Sequence, residues 1–212
     1  SSDVCSSDLS YIHRCQKDGV KIVMNCEVTP ELIKEEKPDS VIIATGSKTL
    51  ILPIEGIDNP AIIHGSDLLD GKRAAGKKVL VVGGGMVGCE TAAFLGEQEH
   101  DVTVIEFRDT VGADVIHEHR VYLMKDFEDY GIKEITGAKV CKFYEDGVEY
   151  ETADGVRHES RGYDSVILSM GFRNYNPLEE KIKDLVPETH VIGDAIRARR
   201  ALDATKEAYE VA

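Results

Sequence analysis

Residues 77–106 read KKVLVVGGGMVGCETAAFLGEQEHDVTVIE. Val79-Leu80-Val81-Val82 is an unbroken apolar and largely β-branched run. A strand buried on both faces of a parallel sheet has that composition. Gly83, Gly85 and Gly88 follow with the spacing G-x-G-x-x-G. Residues 86–98 predict a helix, with Ala92, Ala93 and Leu95 available to pack. Val102 to Ile105 predicts a second strand, which ends in Glu106.

Strand, glycine turn, helix and a terminal acid together make a dinucleotide-binding unit. Gly83 permits the tight turn, Gly85 lets backbone approach a pyrophosphate, and Gly88 lets the helix sit close to the strand. The unpaired N–H groups and positive dipole end of the helix face the phosphate charge. Glu106, 18 positions past Gly88, can accept hydrogen bonds from ribose hydroxyls. The candidate nucleotide-binding residues are therefore Gly83, Gly84, Gly85, Met86, Val87, Gly88 and Glu106. A glycine turn in another kind of βαβ unit is the competing explanation. Glu106 favours NAD over NADP, since a 2′-phosphate would meet a carboxylate; Arg108 could pair with that phosphate instead.

At 212 residues the chain is long enough for one large or two small domains. Its formal net charge is −14, with 39 acidic against 25 basic residues. That balance argues against nucleic acid or an anionic membrane as partner. No apolar run approaches the length of a membrane-spanning helix. Cys5, Cys15, Cys26, Cys89 and Cys141 form no C-x-x-C pair, and read as reduced thiols of a cytoplasmic protein. Cys89 falls in the first turn of the predicted helix. A thiolate would be favoured there, although packing is the simpler role.

Residues 1–9, SSDVCSSDL, repeat SSD and read as translated sequencing-adapter sequence rather than natural protein, so the chain is expected to be a fragment. Residues 19–28 predict a strand. Thr29-Pro30 predicts a helix start, and Pro38 its end. A buried strand is predicted at Val41 to Ala44, before Thr45-Gly46-Ser47. The segment DSVIIATGSK, residues 39–48, is echoed 125 positions later by DSVILSMGFR, residues 164–173. The echo suggests two similar domains, each closing with a strand and a glycine turn; chance similarity of two strands is the alternative.

Residues 48–64 read as a linker, and Ser66 as the cap of a short helix. Residues 114–130 predict an amphipathic helix with Ile116, Leu123, Phe127 and Tyr130 inward, ended by Gly131. His117 and His119 lie two apart and point to different sides of it, so no metal site is expected. Three short alternating runs before Tyr163 predict an antiparallel meander with turns at Asp146-Gly147 and Asp154-Gly155. His190 to Ile192 predicts a strand, followed by Gly193-Asp194 and a helix from about Arg199. That order sets a carboxylate beside a helix N-terminus.

The phrases IIATGS, VVGGGMVGCE with Glu106, ILSMGF and VIGDA, in this order, resemble the pyridine nucleotide–disulfide oxidoreductase family of flavoproteins. The resemblance covers about residues 19–212. It implies an α/β fold of two Rossmann-like, three-layer domains, with the NAD(P) domain inserted in a truncated FAD domain. The implied boundaries are 10–55 for the first FAD segment, 56–175 for the NAD(P) domain and 176–212 for the returning FAD segment. By this resemblance Thr45, Gly46, Gly193 and Asp194 would contact FAD, and Met170 and Gly171 would line the nicotinamide side. The closing run is similar to NADH:flavin oxidoreductases of the 2-enoate reductase and 2,4-dienoyl-CoA reductase type. That subgroup implies FMN and a four-iron cluster in an N-terminal part that these residues do not include.

The implied activity is hydride transfer from NAD(P)H to FAD, for onward reduction of an activated C=C bond. The partners expected are a small-molecule substrate and a possible second copy of the chain. No residue of the sequence stands out as a catalytic acid or base. An NADH oxidase or ferredoxin-type reductase, a nucleotide-binding module without turnover, and a fragment unable to hold FAD remain as other readings.

Overall fold

The computed structural model describes residues 2–212, with side chains from residue 9 onward. Helix α1 runs Ser2–Lys17 and α2 Pro30–Glu36. Strands β1 (Ser40–Ile43), β2 (Ser47–Thr49) and β3 (Ile63–His64) lead to α3 (Gly65–Leu69). Next come β4 (Lys78–Val82), α4 (Met86–Glu97), β5 (Asp101–Ile105), α5 (His117–Asp129) and β6 (Lys133–Ile135). A meander follows, β7 (Lys139–Tyr144), β8 (Gly147–Glu151) and β9 (Arg157–Arg161), and then β10 (Ser165–Leu168) and β11 (Phe172–Asn174). The chain closes with α6 (Glu179–Ile182), β12 (Glu188–Val191), a 3-10 turn at Gly193–Ala195 and α7 (Ala201–Val211).

The glycine-bearing strand β4 sits at the centre of a five-stranded parallel sheet, in the order β3-β10-β4-β5-β6. Successive side chains of β4 point to opposite faces. Val79 and Val81 pack with Cys89, Ala92 and Leu95 of α4 and with Leu123 and Phe127 of α5. Leu80 and Val82 pack with Phe143 and Val148 of the meander. The parallel sheet is therefore covered by helices on one face and by an antiparallel sheet on the other. Both faces being buried is why β4 and β10 are apolar at nearly every position. Each such fully buried Val or Leu side chain contributes roughly 1.5–3 kcal/mol.

A second, smaller parallel pair joins β1 to β12, with Ile43 opposite Val191. Its core is Ile33, Ile43, Leu178, Ile182 and Val186. Only one face of this pair is covered, and Ile42 on the other is 45% exposed. Where a second Rossmann-like layered domain is expected, the structure shows this two-stranded parallel pair with its own small core.

The two echoed segments meet. Each turns at a glycine with positive φ, Gly46 at 74° and Gly171 at 93°. The strands that follow, β2 and β11, pair antiparallel, with Ser47 opposite Asn174 and Thr49 opposite Phe172. Leu50 N–H donates to the Gly171 carbonyl and Tyr175 N–H to the Gly46 carbonyl. The echo is the sequence of two matched arms.

Several expectations are corrected. Residues 19–28 form no strand. Val20 and Met24 are exposed, Asn25 has φ 54°, and no neighbouring strand offers a ladder to this run. Residues 48–64 are more than a linker, since they hold the end of β2 and all of β3. Helix α3 starts at Gly65 behind His64, with no side-chain cap, so Ser66 caps nothing. On α5, Leu123 and Phe127 are buried, but Ile116 and Tyr130 flank the helix and are 46% and 39% exposed. The first meander turn falls on Glu145-Asp146, because Gly147 already pairs with Tyr144. A Cβ at Gly147 would sit 2.0 Å from the Ser160 carbonyl oxygen; close approach selects that glycine. Residues 2–9, set aside above, lie within α1. Thr29 does cap α2, accepting from Leu32 N–H at 3.3 Å. Among the described residues no helix is long and apolar enough to cross a membrane.

A Cβ on Gly88 would lie 1.8 Å from the Gly83 carbonyl oxygen. Gly88→Ala is therefore expected to destabilise the fold by at least about 2 kcal/mol, as overpacking against backbone does. Thermal unfolding followed by circular dichroism checks this; an unchanged midpoint would refute the close packing.

Candidate functional site

The loop between β4 and α4 is fixed by close contacts on three sides. Gly83 has φ 105°, and a Cβ on it would meet the Ser169 carbonyl oxygen at 2.4 Å. Gly84 is buried, and a Cβ there would meet Glu106 and Val111, each at 2.9 Å. Gly88 presses on the Gly83 carbonyl. Gly85 differs, because the only atoms near its missing Cβ belong to a side chain, the Asp114 carboxylate, at 3.2 Å. The approach to backbone at Gly85 is thus blocked only by a side chain, the Asp114 carboxylate.

Glu106 stands one residue past β5. Its Oε2 accepts from Gly84 N–H at 2.5 Å and its Oε1 from Arg108 N–H at 2.9 Å. The carboxylate is therefore held in one orientation at the rim of the glycine loop. A cleft of about 900 Å³ opens there. Gly83, Gly85, Met86, Val87, Glu106, Met170, Gly171 and Asp194 line it. Gly84 and Gly88 do not; they lie behind the loop and shape it.

The far wall comes from the last segment. Asp194 Oδ2 accepts from Ser47 Oγ at 3.1 Å, and its Oδ1 from Arg199 N–H at 3.0 Å. Gly193 N–H donates to Glu207 Oε2 at 2.7 Å. Glu207 also pairs with the Arg199 guanidinium, which, with the Gly193 N–H, holds its carboxyl below the usual carboxylate range. Thr45 Oγ1 donates to the Tyr175 carbonyl at 2.5 Å. Thr45, Gly46 and Gly193 do not line the cleft, and instead tie its floor together.

Two cleft residues, Asp114 and Arg200, are not singled out by the sequence, whereas Ser47 closes the IIATGS phrase. Asp114 Oδ1 accepts from Met86 N–H, the first residue of α4, at 3.0 Å. Arg200 Nη2 donates to the Asp114 carbonyl at 3.3 Å. All three residues are brought to the cleft by folding of distant segments.

A family model described as pyridine nucleotide-disulphide oxidoreductase matches residues 8–190. The chain belongs to the pyridine nucleotide-disulphide oxidoreductase family. Within the family it is 31% identical over 197 residues to a cinnamate reductase of Clostridium sporogenes, covering 92% of this chain and 29% of that protein. It is 32% identical over 199 residues to an NADH oxidase of Thermoanaerobacter brockii, covering 92% of this chain and 30% of that protein. A solved structure of a 2-naphthoyl-CoA reductase in complex with 2-naphthoyl-CoA superposes with a TM-score of 0.85 at 31% identity, covering 94% of this chain and 30% of that one. The chain spans about three tenths of the length of these relatives.

Despite the family's name, Cys89 has no cysteine partner among the described residues. It is fully buried, and its Sγ donates to the Gly84 carbonyl at 3.3 Å. Burial pushes the thiol pKa up to about 12. Of the two roles open to Cys89, packing is the one realised. In the folded protein at pH 8, iodoacetamide should label exposed Cys26 and leave Cys89 unmodified until denaturant is added. Mass spectrometry of tryptic peptides reads this out, and early alkylation of Cys89 would contradict its burial.

Proposed function

We propose that this chain is the nucleotide-binding portion of a flavin-dependent oxidoreductase, taking NADH in preference to NADPH. The observation that carries the proposal is the Glu106 carboxylate, fixed by Gly84 N–H at the rim of a cleft that also reaches Asp194. The residues present fit a dinucleotide. Gly85 offers approachable backbone, Glu106 offers acceptors for ribose hydroxyls, and α4 aims its N-terminus at the phosphates. They also fit part of a flavin site. Asp194 presents a carboxylate to the cleft, beside Ser47, on a floor braced by Thr45, Gly46 and Gly193.

A reduced nicotinamide bound here would supply hydride, with a flavin as its acceptor. The protein's own work is positioning. Met170 and Gly171, between β10 and β11, would form the wall beside a bound nicotinamide. The β2–β11 ribbon fixes that wall relative to Asp194. The pairing of β1 with β12 supports an FAD domain split into residues 10–55 and 176–212, with the NAD(P) domain at 56–175 between them. The reductase names of the relatives support electron flow onward to an activated C=C substrate, such as an enoate or enoyl-CoA. FMN and a four-iron cluster would then be held outside these residues. A cytoplasmic location, a small-molecule substrate and possible self-association complete the proposal.

Glu106→Ala is expected to weaken NADH binding by more than about tenfold, the equivalent of roughly 1.4 kcal/mol. Isothermal titration measures it, and an unchanged dissociation constant would remove Glu106 from the site. Gly85→Val should abolish NADH binding while leaving the circular dichroism spectrum intact, because its new side chain meets only the Asp114 carboxylate. Normal binding by that variant would show that the loop does not hold phosphate.

A further inference from the structure

The N-terminus of α4 already carries an anion. Asp114 Oδ1 takes the Met86 N–H at 3.0 Å, and its Oδ2 lies 3.2 Å from where a Cβ on Gly85 would be. The carboxylate therefore fills the approach to the backbone where a pyrophosphate would lie. Its loop cannot simply swing aside. Gly112 N–H donates to the Gly84 carbonyl at 2.7 Å, Val111 and Val115 are buried, and Arg120 donates to the Val111 carbonyl. Only the exposed Asp114 side chain has room to rotate. Across the cleft, Arg200 donates to the Asp114 carbonyl at 3.3 Å. Its guanidinium thus stands beside the same spot with a neutral partner.

We propose that Asp114 is an anion guard on the nucleotide loop, and that Arg200 is the cation that receives the phosphate when the guard turns away. This rests on the dinucleotide reading above and adds to it a basis for selectivity. A bare helix N-terminus attracts any small anion. With Asp114 in place, inorganic phosphate must displace a carboxylate and gains little else. A nucleotide diphosphate brings ribose contacts to Glu106 and two charged groups to Arg200, so it can displace the guard. The site thereby rejects simple anions and admits nucleotides.

The charge alone is tested by Asp114→Asn, whose amide oxygen can keep the bond from Met86 N–H. Titrations use the full chain with ADP, adenosine and inorganic phosphate as probes. Asp114→Asn should tighten ADP binding about tenfold, the scale of one unscreened charge near a diphosphate. Adenosine affinity should stay within about twofold, and inorganic phosphate should begin to compete with ADP. Arg200→Gln should weaken ADP about tenfold and flatten its salt dependence, again sparing adenosine. If wild-type protein binds ADP and Asp114→Asn leaves that affinity unchanged or weaker, the guard is refuted. A parallel change for adenosine would mark a structural effect and refute it as well. If wild-type protein binds neither ADP nor NADH, the dinucleotide reading itself falls, and the guard with it.

Discussion

Helix α4 can begin where it does only because Gly88 brings its first turn against the Gly83 carbonyl. No side chain fits there, and Gly83 is itself hemmed in by the carbonyl of Ser169, just past β10. This contact sets the rest of the site. It brings the α4 N-terminus to the carboxyl end of the central strand. It leaves Gly84 N–H aimed at Glu106 and the Gly84 carbonyl aimed at Gly112. Glycine lowers strand and helix stability elsewhere in proteins. Here the shape that only glycine permits is then locked by hydrogen bonds from two further segments.

The cleft has two walls because of the ribbon of β2 and β11. A strand and a glycine turn recur at residues 39–48 and 164–173, and the arms that follow pair with each other. Ser47 lies on one arm and reaches Asp194; Gly171 precedes the other arm and lines the cleft. The same ribbon thus joins the five-stranded sheet to the small β1–β12 pair. The outer face of that pair stays apolar and uncovered at Ile42, as expected of strands whose sequence is suited to burial on both sides.

What could be seen in the sequence was local and periodic. The apolar run of β4, the glycine spacing, Glu106 and the cap at Thr29 each carry their meaning within a few residues. The meander was visible by alternation. Where the sequence misled, a long-range partner decided. Residues 19–28 have strand composition, but a strand needs a neighbour to bond, and none lies beside them. Ile116 and Tyr130 fit the helical period of α5 yet lie just outside its ends. Asp114 and Arg200 could not be found from pattern, since each matters through a contact with a segment 28 or more positions away.

Charge explains why such contacts are needed. The chain carries a formal −14, a field that repels an anionic nucleotide at long range. The cleft answers with a local cluster: Arg108, Arg173, Arg197, Arg199 and Arg200 all line it. These arginines are not equivalent. The guanidinium of Arg199 is neutralised by Glu207, and that pair braces the Gly193 turn. Arg200 bonds a carbonyl oxygen, which satisfies a donor without cancelling the charge. A guanidinium so held is oriented, weakly hydrated and still cationic, the state from which bidentate phosphate contacts form at least entropic loss. The acidic surface then limits indiscriminate anion binding, while Arg200, bonded to the Asp114 carbonyl beside the glycine loop and not cancelled by a carboxylate, supplies a local attraction for anions.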